Sequence, residues 1–353
     1  MHIIFNPPVN EENKYIDILV TALRKGGYVV HPLKVLLSSK QLFDSIHLVH
    51  LNWFENVDDS SYQSALKSFF RKMFVLSVIR ISGKKLVWTM HNRSSHEKRT
   101  GWISRTITRY LIKWSHKIVI HSHQSRAIMA KEYPEALEKL CYIPHPDFID
   151  IYGPVQKSSR LSSAGPLKLL FVGAVKPYKN IELLIQVAAK FEDRIEVTIA
   201  GKPNTPSYGD RIKKLADSAG NVQLVPRFIP NEELPRFMAE TDLLVLPYDL
   251  KSSLNSGTVI LAFSYKKTVI CPLIGTIEDM GEGKANVFHY SYQTDEEHAD
   301  QLADQIDKAI KYKKQLPNSF NELGETVFQH ISRANSKEQV TFQLLSLYQS
   351  LLS

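Results

Sequence analysis

The stretch 242–272 reads DLLVLPYDLKSSLNSGTVILAFSYKKTVICP. It predicts a buried strand over Leu243–Leu246, a polar loop, a helix that starts at Asn255–Thr258 and a second buried strand over Val269–Cys271. Such a unit places the free N–H groups of the helix at the carboxyl edge of a parallel sheet, where they and the helix dipole attract a phosphate. The alternative is an αβ turn with an ordinary N-cap and no ligand.

Strands alternate with helices along both halves of the chain, which indicates parallel sheets covered by helices on both faces. Because 353 residues exceed the usual size of one domain, we predict an α/β protein with two Rossmann-like, doubly wound domains. The other predicted strands are His2–Phe5, Tyr28–His31, Ile46–Leu51, Leu86–Met90, Lys117–His121, Cys141–Ile143, Leu167–Val172, Glu196–Ala200 and Val222–Val225.

A polar segment rich in small residues, QKSSRLSSAGP at 156–166, separates the two halves and is typical of a linker. It divides the chain into an N-terminal domain at 1–155 and a C-terminal domain at 167–335. The chain is helical by pattern beyond the second alternating half. We expect the final helix, about 336–353, to pack back on the first domain.

Cysteine content and hydropathy indicate a reduced, cytoplasmic protein. The two cysteines, Cys141 and Cys271, fall in different halves, so no disulfide framework is expected. No apolar run approaches the roughly 18 residues that a membrane-spanning helix needs. The apolar run at the N-terminus is too short for a signal peptide.

Positive charge is concentrated at 61–120, which holds 13 Lys and Arg residues and a single acid, Glu97. Such clustering marks a surface that meets anions, whether lipid headgroups, nucleic acid or a phosphorylated substrate. In the predicted helix Trp102–Trp114, three basic residues repeat every four positions and are spaced to meet an anionic membrane: Arg105, Arg109 and Lys113. The alternative is a solvated basic face whose neighbouring aromatic residues all lie in the core.

A long helix is predicted at Tyr62–Ile81 in the same basic region. The residues expected on its apolar face are Leu66, Phe69, Phe70, Met73 and Phe74. These aromatic residues occur at helical core spacing, and no module that binds RNA or DNA is recognisable. Nucleic acid is therefore not expected as a partner.

Four motifs follow one another in the second half of the chain. They are FVGAVKPYKNIELLI at 171–185, IAGKP at 199–203, VPRFIPNEELPRFMAETDLLVLP at 225–247 and SGTVILAFSYKKTVICP at 256–272. This series resembles the one in nucleotide-sugar glycosyltransferases of the two-domain GT-B fold. The chain thus resembles the family-four group of bacterial polysaccharide enzymes. The first half resembles this group more loosely, through WTMHN at 88–92 and YIPHP at 142–146.

The resemblance implies two domains that face each other across a cleft, with a UDP- or GDP-sugar donor and no cofactor. It places Lys179, which follows Gly173 at the end of a strand, against the donor diphosphate. Backbone amides at Ser256, Gly257 and Thr258 would cradle the same group. The further positions that the resemblance implies are Arg227, Phe228 and Ile229 beside the nucleobase and His91 facing the transferred sugar. From the residues alone, Lys179 could also be a solvated lysine, His91 a loop or core histidine and Phe228 a core residue.

This sequence departs from the family pattern at the positions that retaining enzymes use. Their two glutamates around the phosphate helix are replaced here by Ser253 and Leu261. Asn255 is a candidate for the ribose contact of the second glutamate, and Lys176 for the role of an arginine expected at Ala174. We therefore expect an inverting transfer.

An inverting transfer needs one general base beside the acceptor, in the first domain. The polar loop HNRSSHE at 91–97 offers His91, His96 and Glu97 as candidates. An ion pair in a basic stretch is the alternative role for Glu97. No Asp-x-Asp triplet occurs in the sequence, and lysines and helix amides can neutralise a leaving diphosphate without a metal ion. We therefore expect metal-independent chemistry.

The sequence as a whole predicts a glycosyltransferase of cell-surface polysaccharide assembly. Its expected partners are a nucleotide-sugar donor, a glycan or lipid-linked acceptor, and the anionic inner face of the cytoplasmic membrane. Two alternatives stay open: a catalytically inactive GT-B scaffold that binds a nucleotide sugar, and a nucleic-acid binder that uses the basic region. Donor hydrolysis without acceptor would identify a live enzyme, whereas tight nucleotide binding without turnover would identify a scaffold.

Overall fold

The computed structural model describes residues 1–10, 13–58, 61–92, 101–156, 165–316 and 319–353, which divide into two compact units. The first unit comprises Met1–Pro146, Ser252–Asn255 and Asn335–Ser353, and the second comprises Asp147–Lys251 and Ser256–Ala334. Each unit contains a six-stranded parallel sheet. The prediction of an α/β protein with two doubly wound sheets is confirmed.

The first sheet has the strand order β2-β1-β3-β4-β5-β6. Its strands are β1 (His2–Asn6), β2 (Val29–His31), β3 (Ile46–Asn52), β4 (Lys85–Met90), β5 (Lys117–Ile120) and β6 (Leu140–Tyr142). The helices between them are α1 (Lys14–Lys25), α2 (Lys40–Ser45), α3 (Tyr62–Ile81), α4 (Gly101–Trp114) and α5 (His123–Glu132). The central strand β3 is buried almost throughout, because helices cover both faces of a parallel sheet.

The second sheet has the strand order β12-β11-β10-β7-β8-β9. Its strands are β7 (Leu167–Val172), β8 (Ile195–Ala200), β9 (Val222–Val225), β10 (Leu243–Val245), β11 (Val269–Pro272) and β12 (Phe288–Tyr290). The helices of this unit are α6 (Ile181–Ala189), α7 (Pro206–Asp217), α8 (Leu234–Ala239), α9 (Gly257–Ser264), α10 (Gly275–Glu278), α11 (Asp295–Gln315) and α12 (Ser319–Ala334). The motif 242–272 therefore forms β10, a loop, α9 and β11.

The final helix, α13 (Lys337–Leu352), belongs to the first unit although it follows the second in sequence. It packs against α1 and β3, and its Leu345 side chain touches Gly26, where an added Cβ would lie 2.7 Å from that side chain. Tyr348 is fully buried and hydrogen-bonds the imidazole of His50. The segment predicted as one helical stretch is thus divided near Asn335 into α12 and α13.

The loops after β7 and β8 approach each other closely. A Cβ on Gly201 would lie 1.8 Å from the carbonyl oxygen of Gly173, so only glycine fits at position 201. Gly173 itself has a φ of 129°, a conformation that favours glycine. The loops after β7 and β8, which belong to the motifs at 171–185 and 199–203, are therefore held in contact through their backbones.

Helix α3 has the predicted ends, and Leu66, Phe69 and Met73 of the predicted apolar face are partly buried against the core. Its buried residues are Ala65, Ser68, Leu76 and Ile79. Phe70 is 66% exposed and Phe74 is 55% exposed, so the prediction that both belong to the apolar packing face is wrong. The helix packs on α4, where the Phe69 ring centroid lies 6.1 Å from that of Trp102, and Phe70 and Phe74 stay exposed.

The unit boundaries differ in detail from the predicted domain limits. Residues 147–155 are grouped with the second unit, and Ser252–Asn255 with the first. Within the proposed linker at 156–166, positions 157–164 lie outside the described residues. The linker therefore stays a prediction.

Candidate functional site

Four buried histidines lie at the carboxyl edge of the first sheet. His50 is on β3, His91 and His121 directly follow β4 and β5, and His145 follows β6. The carboxyl edge of such a sheet is the usual position of a ligand site. The ring of Tyr15 from α1 lies among them, with its centroid 5.4 Å from His91, 5.5 Å from His121 and 4.9 Å from His145.

Hydrogen bonds fix the proton positions on His121 and on His91. His121 Nδ1 donates to the Ile143 carbonyl oxygen at 2.7 Å, so its Nε2 accepts from the Tyr15 hydroxyl at 3.2 Å. His91 Nε2 lies 3.0 Å from the Asn52 side-chain oxygen, which can only accept. Nε2 of His91 therefore carries its hydrogen, and Nδ1 is the basic nitrogen.

His91 is held on the face of Trp53. The two rings are stacked, with centroids 4.1 Å apart and an angle of 18° between their planes. This stacking and the Asn52 hydrogen bond fix the orientation of the imidazole. The residue that the sequence proposed as a sugar contact or base is therefore a pre-oriented group at the sheet edge.

Burial lowers the pKa of all four histidines. It lowers the pKa of His50 and of His145 to about 3, and that of His121 to about 4. The pKa of His91 is lowered well below 6.5 by burial first, and further by repulsion from His121, His145 and His50. All four imidazoles are consequently neutral at pH 7, and each can accept or donate a hydrogen bond without a net charge.

The second unit places Lys179 at the end of a short turn that follows β7. The turn spans Pro177–Lys179, and the half-buried Lys179 side chain lies over the ring of Tyr248, with Nζ 4.1 Å from the ring centroid. Within the part of the chain that the structure describes, Nζ of Lys179 forms no hydrogen bond or ion pair. Burial lowers the pKa of Lys179. Lys176, three residues earlier, is exposed.

Ser256 begins helix α9 as its N-cap residue. Its Oγ accepts a hydrogen bond from the Val259 amide at 3.2 Å, and its own amide donates to Thr276 Oγ1 at 2.9 Å. The first N–H groups of a helix have no partner inside the helix, so the amides at Gly257 and Thr258 are available to an anion. The predicted helix start is thus present with Ser256 as its N-cap, and its role as a phosphate site stays a prediction.

Asn255 precedes this helix and makes its contacts in the first unit. Its side-chain nitrogen donates to the carbonyl oxygen of His91 at 3.4 Å, and the neighbouring Leu254 joins the hydrophobic core of that unit. The side-chain oxygen of Asn255 is buried without a hydrogen-bond partner among the described residues. An acceptor atom in that state can take a hydroxyl hydrogen from a ligand.

The three residues expected beside the nucleobase have different environments. The Arg227 guanidinium forms two hydrogen bonds with the Glu233 carboxylate, at 2.9 and 2.6 Å. Phe228 is 46% exposed, which excludes the alternative that it is a core residue. Ile229 is partly buried. An exposed aromatic ring beside a fixed arginine can stack on a planar base.

Comparison with known proteins identifies the second half of the chain. Residues 155–326 match the family model described as glycosyl transferases group 1. Over these residues the chain is similar to that family, and the matched segment is called the group 1 domain below. Lys179 and the start of α9 both lie within it.

Curated relatives extend the similarity beyond this group 1 domain. A GDP-mannose:glycolipid 4-beta-D-mannosyltransferase of Xanthomonas campestris pv. campestris is 26% identical over 267 residues, which are 75% of this chain and 71% of that protein. A protein of the same description from strain ATCC 33913 is 26% identical over 305 residues, which are 85% of this chain and 81% of the relative.

Solved structures match the whole chain and show its fold. Sucrose-phosphate synthase from Thermosynechococcus elongatus has a TM-score of 0.77 at 16% identity and covers 100% of this chain and 99% of its own. HepE from Anabaena in complex with UDP-glucose has a TM-score of 0.71 at 13% identity and covers 99% of both chains. The expected GT-B fold is therefore confirmed.

Two of the three candidate bases cannot be located. His96 and Glu97 lie outside the described residues, so only His91 has an observed environment. Sequence reasoning missed the other members of its cluster, Tyr15, His50, His121 and His145. A histidine in or shortly after the last residues of a predicted strand was the available signal, because strand ends meet at one edge.

The three basic residues predicted to form a stripe on one helix lie on the exposed side of α4. Arg105, Arg109 and Lys113 all face solvent, while Ile103 and Ile107 on the other side are buried. Trp102 at the start of the helix is 45% exposed. The alternative that the aromatics of this region are all in the core is therefore wrong.

The described residues contain no candidate metal cluster and no candidate membrane span. No group of three or more His, Cys, Asp and Glu residues among them could hold a metal ion. No helix in the same part of the chain is both long and apolar enough to cross a membrane.

The neutral histidines generate a prediction on pH and stability. Unfolding returns each imidazole to a pKa near 6.5, so below that pH the unfolded state binds more protons than the folded first unit. The free energy of unfolding should therefore fall as pH falls from 6.5 towards 4, by up to about 1.4 kcal/mol per pH unit for each histidine. Urea unfolding followed by tryptophan fluorescence measures it, since all 4 tryptophans lie in the first unit.

His50→Gln should reduce the slope of the unfolding free energy against pH by the contribution of one histidine. His47→Gln, at an exposed position of the same strand, should leave the slope unchanged. Stability that is constant or rises on acidification would contradict the neutral cluster.

Proposed function

We propose that this protein transfers a hexosyl group from a nucleoside diphosphate sugar to a lipid-linked or glycan acceptor. The proposal rests on two groups within the group 1 domain. One is Lys179, whose charge no carboxylate among the described residues neutralises, and the other is the set of N–H groups at the start of α9, which have no partner inside the helix. A lysine and a helix N-terminus together attract a diphosphate. They also stabilise the negative charge that develops on it as the sugar leaves.

GDP-mannose is the first donor to test. Both curated relatives carry it in their descriptions, and they cover most of this chain. The solved HepE complexes contain UDP and UDP-glucose, which makes UDP-sugars the comparison donors. The exposed ring of Phe228 suits either nucleobase.

The proposed reaction inverts the anomeric carbon. A base removes the proton of the acceptor hydroxyl, whose oxygen forms a bond to C1 of the sugar. The bond between C1 and the diphosphate oxygen breaks on the opposite face, and the leaving electron pair stays on the diphosphate. Formation of a β-mannoside, the product in the relatives' description, from α-linked GDP-mannose has this stereochemistry.

The base is proposed among His91, His96 and Glu97. His91 is neutral and oriented by Trp53 and Asn52, which suits a hydrogen bond to a sugar or acceptor hydroxyl. Its lowered pKa makes it a weak base, because proton transfer is most efficient when the pKa lies near the working pH. We therefore give His91 the role of orienting the hydroxyl and keep Glu97 and His96 as the candidates for the base. The proposed chemistry uses no metal ion.

The proposed acceptor is delivered at the inner face of the cytoplasmic membrane, as a step of exopolysaccharide assembly. The relatives' description names a glycolipid. The stripe Arg105, Arg109 and Lys113 is exposed, and Phe70, Phe74 and Trp102 are exposed on the paired helices α3 and α4. Basic residues attract anionic headgroups, and exposed aromatic rings insert at the interface.

Lys179→Met should weaken the binding of GDP and UDP by about 1.5–3 kcal/mol, because it removes a charge-assisted contact to the diphosphate. Isothermal titration calorimetry measures the change. Lys190→Met, at an exposed lysine of the same unit, is the matched control and should bind as the wild type does. An unchanged Kd in Lys179→Met would remove this lysine from the donor site.

Glu97→Gln and His91→Ala should each lower kcat by about 10²–10⁴-fold while donor affinity changes only a few-fold, since both act on the acceptor hydroxyl. His47→Ala should retain activity. The product's anomeric configuration, read by NMR, should be inverted, and EDTA should leave the rate unchanged. A product with retained configuration would refute the inverting mechanism, and full activity in Glu97→Gln would shift the base to His96.

The wild-type protein should co-sediment with anionic vesicles but not with neutral ones, and salt should weaken the binding because it screens exposed charges. Each basic residue contributes about 1 kcal/mol near an anionic surface, so reversing Arg105, Arg109 and Lys113 to Glu should abolish sedimentation. Reversing Lys190, Lys213 and Lys214, three exposed lysines of the second unit, is the charge-matched control. If the wild type stays in the supernatant at low salt, a soluble glycan is the acceptor.

A further inference from the structure

Tyr248 contacts both elements of the proposed diphosphate site with one side chain. It follows β10 and is 2% exposed. The Lys179 ammonium lies over its ring at 4.1 Å from the centroid, nearer than to the ring of Tyr178, which is 5.4 Å away. Its hydroxyl accepts a hydrogen bond from Ser256 Oγ at 3.0 Å and also bonds the side chain of Thr258.

The backbone around Tyr248 is fixed from two sides. Asn180, next to Lys179 in sequence, donates from its side chain to the Pro247 carbonyl oxygen at 3.0 Å. The Tyr292 hydroxyl donates to the Tyr248 carbonyl oxygen at 3.0 Å and accepts from the Leu250 amide at 2.9 Å. The backbone that carries the Tyr248 ring is therefore held by hydrogen bonds in which Lys179 takes no part.

An aromatic ring holds a cation in a different way from a carboxylate. The negative face of the ring attracts the ammonium group but carries no net charge, so the charge of the lysine is not cancelled. A carboxylate at the same place would form an ion pair and reduce the attraction of Lys179 for a phosphate. Among the described residues no carboxylate pairs with Lys179. Its ammonium group instead makes a cation–π contact with the ring of Tyr248.

We infer that Tyr248 is a positioning residue of the donor site, which holds Lys179 over its ring and the first turn of α9 through its hydroxyl. The inference rests on the proposed function, because it assumes that Lys179 and α9 bind the donor diphosphate. It assigns the ring to Lys179 and the hydroxyl to Ser256 and Thr258. A merely structural tyrosine would fill core volume and would show no selective dependence on Lys179.

The ring can be tested without loss of its shape. Position 248 is replaced by Phe and by phenylalanines with one, two and three ring fluorines, which progressively weaken the negative face of the ring. Calorimetry with GDP and UDP is run for each variant with Lys179 intact and in the Lys179→Met background. Over the series, affinity should fall by roughly 3- to 30-fold with Lys179 intact, the range of a cation–π contact, and should stay flat in Lys179→Met.

The hydroxyl is tested by the first step of the same series. Tyr248→Phe should weaken binding by the same factor in both backgrounds, because its hydroxyl acts through α9 and not through Lys179. The same fluorinated series at Tyr265, a buried tyrosine whose hydroxyl bonds the Gly153 carbonyl oxygen, is the control and should show no trend with fluorine number in either background.

The possible failures are distinguishable. If Lys179→Met binds both nucleotides as the wild type does, the proposed donor site is wrong and this inference falls with it. If Lys179→Met binds weakly but fluorination has no effect, or has an equal effect in both backgrounds, Tyr248 does not position Lys179 and only this inference is overturned.

Discussion

Both candidate sites depend on one constraint, which is that parallel strands end together at one edge of a sheet. In the first unit this edge gathers His50, His91, His121 and His145 from four consecutive strands or the loops that follow them. In the second unit it brings the turn after β7 beside the loop after β10, where Lys179 meets Tyr248. The strands set the positions of these groups, and the loops supply the chemistry.

The two edges differ in their electrostatic character. At the first, burial keeps the histidines uncharged, so the surface offers hydrogen bonds without a field that would favour an ion. At the second, a cation rests on a neutral ring beside open helix amides. Hydroxyl groups suit the first environment and a diphosphate suits the second.

The sequence predicted most strands and the long helices, because buried strands and apolar periodicity are local signals. It failed on the direction of Phe70 and Phe74, since periodicity identifies an apolar stripe but not the part of it that a neighbouring helix covers. Lys179 and Ser256 could be predicted from motifs that begin after strands. Tyr248 could not, because a cation over a ring depends on geometry between loops that lie far apart in sequence.

The hydrogen bond between Tyr348 and His50 has a consequence for how the chain folds during synthesis. Residues 1–146 are made before the second unit, yet their unit lacks α13 until Lys337–Leu352 has been made. The second unit ends at Ala334 and can form its core earlier, because domains fold as their residues emerge. The first unit is thus begun before the second and completed after it, and the surfaces of α1 and β3 that α13 covers stay exposed until α13 is made.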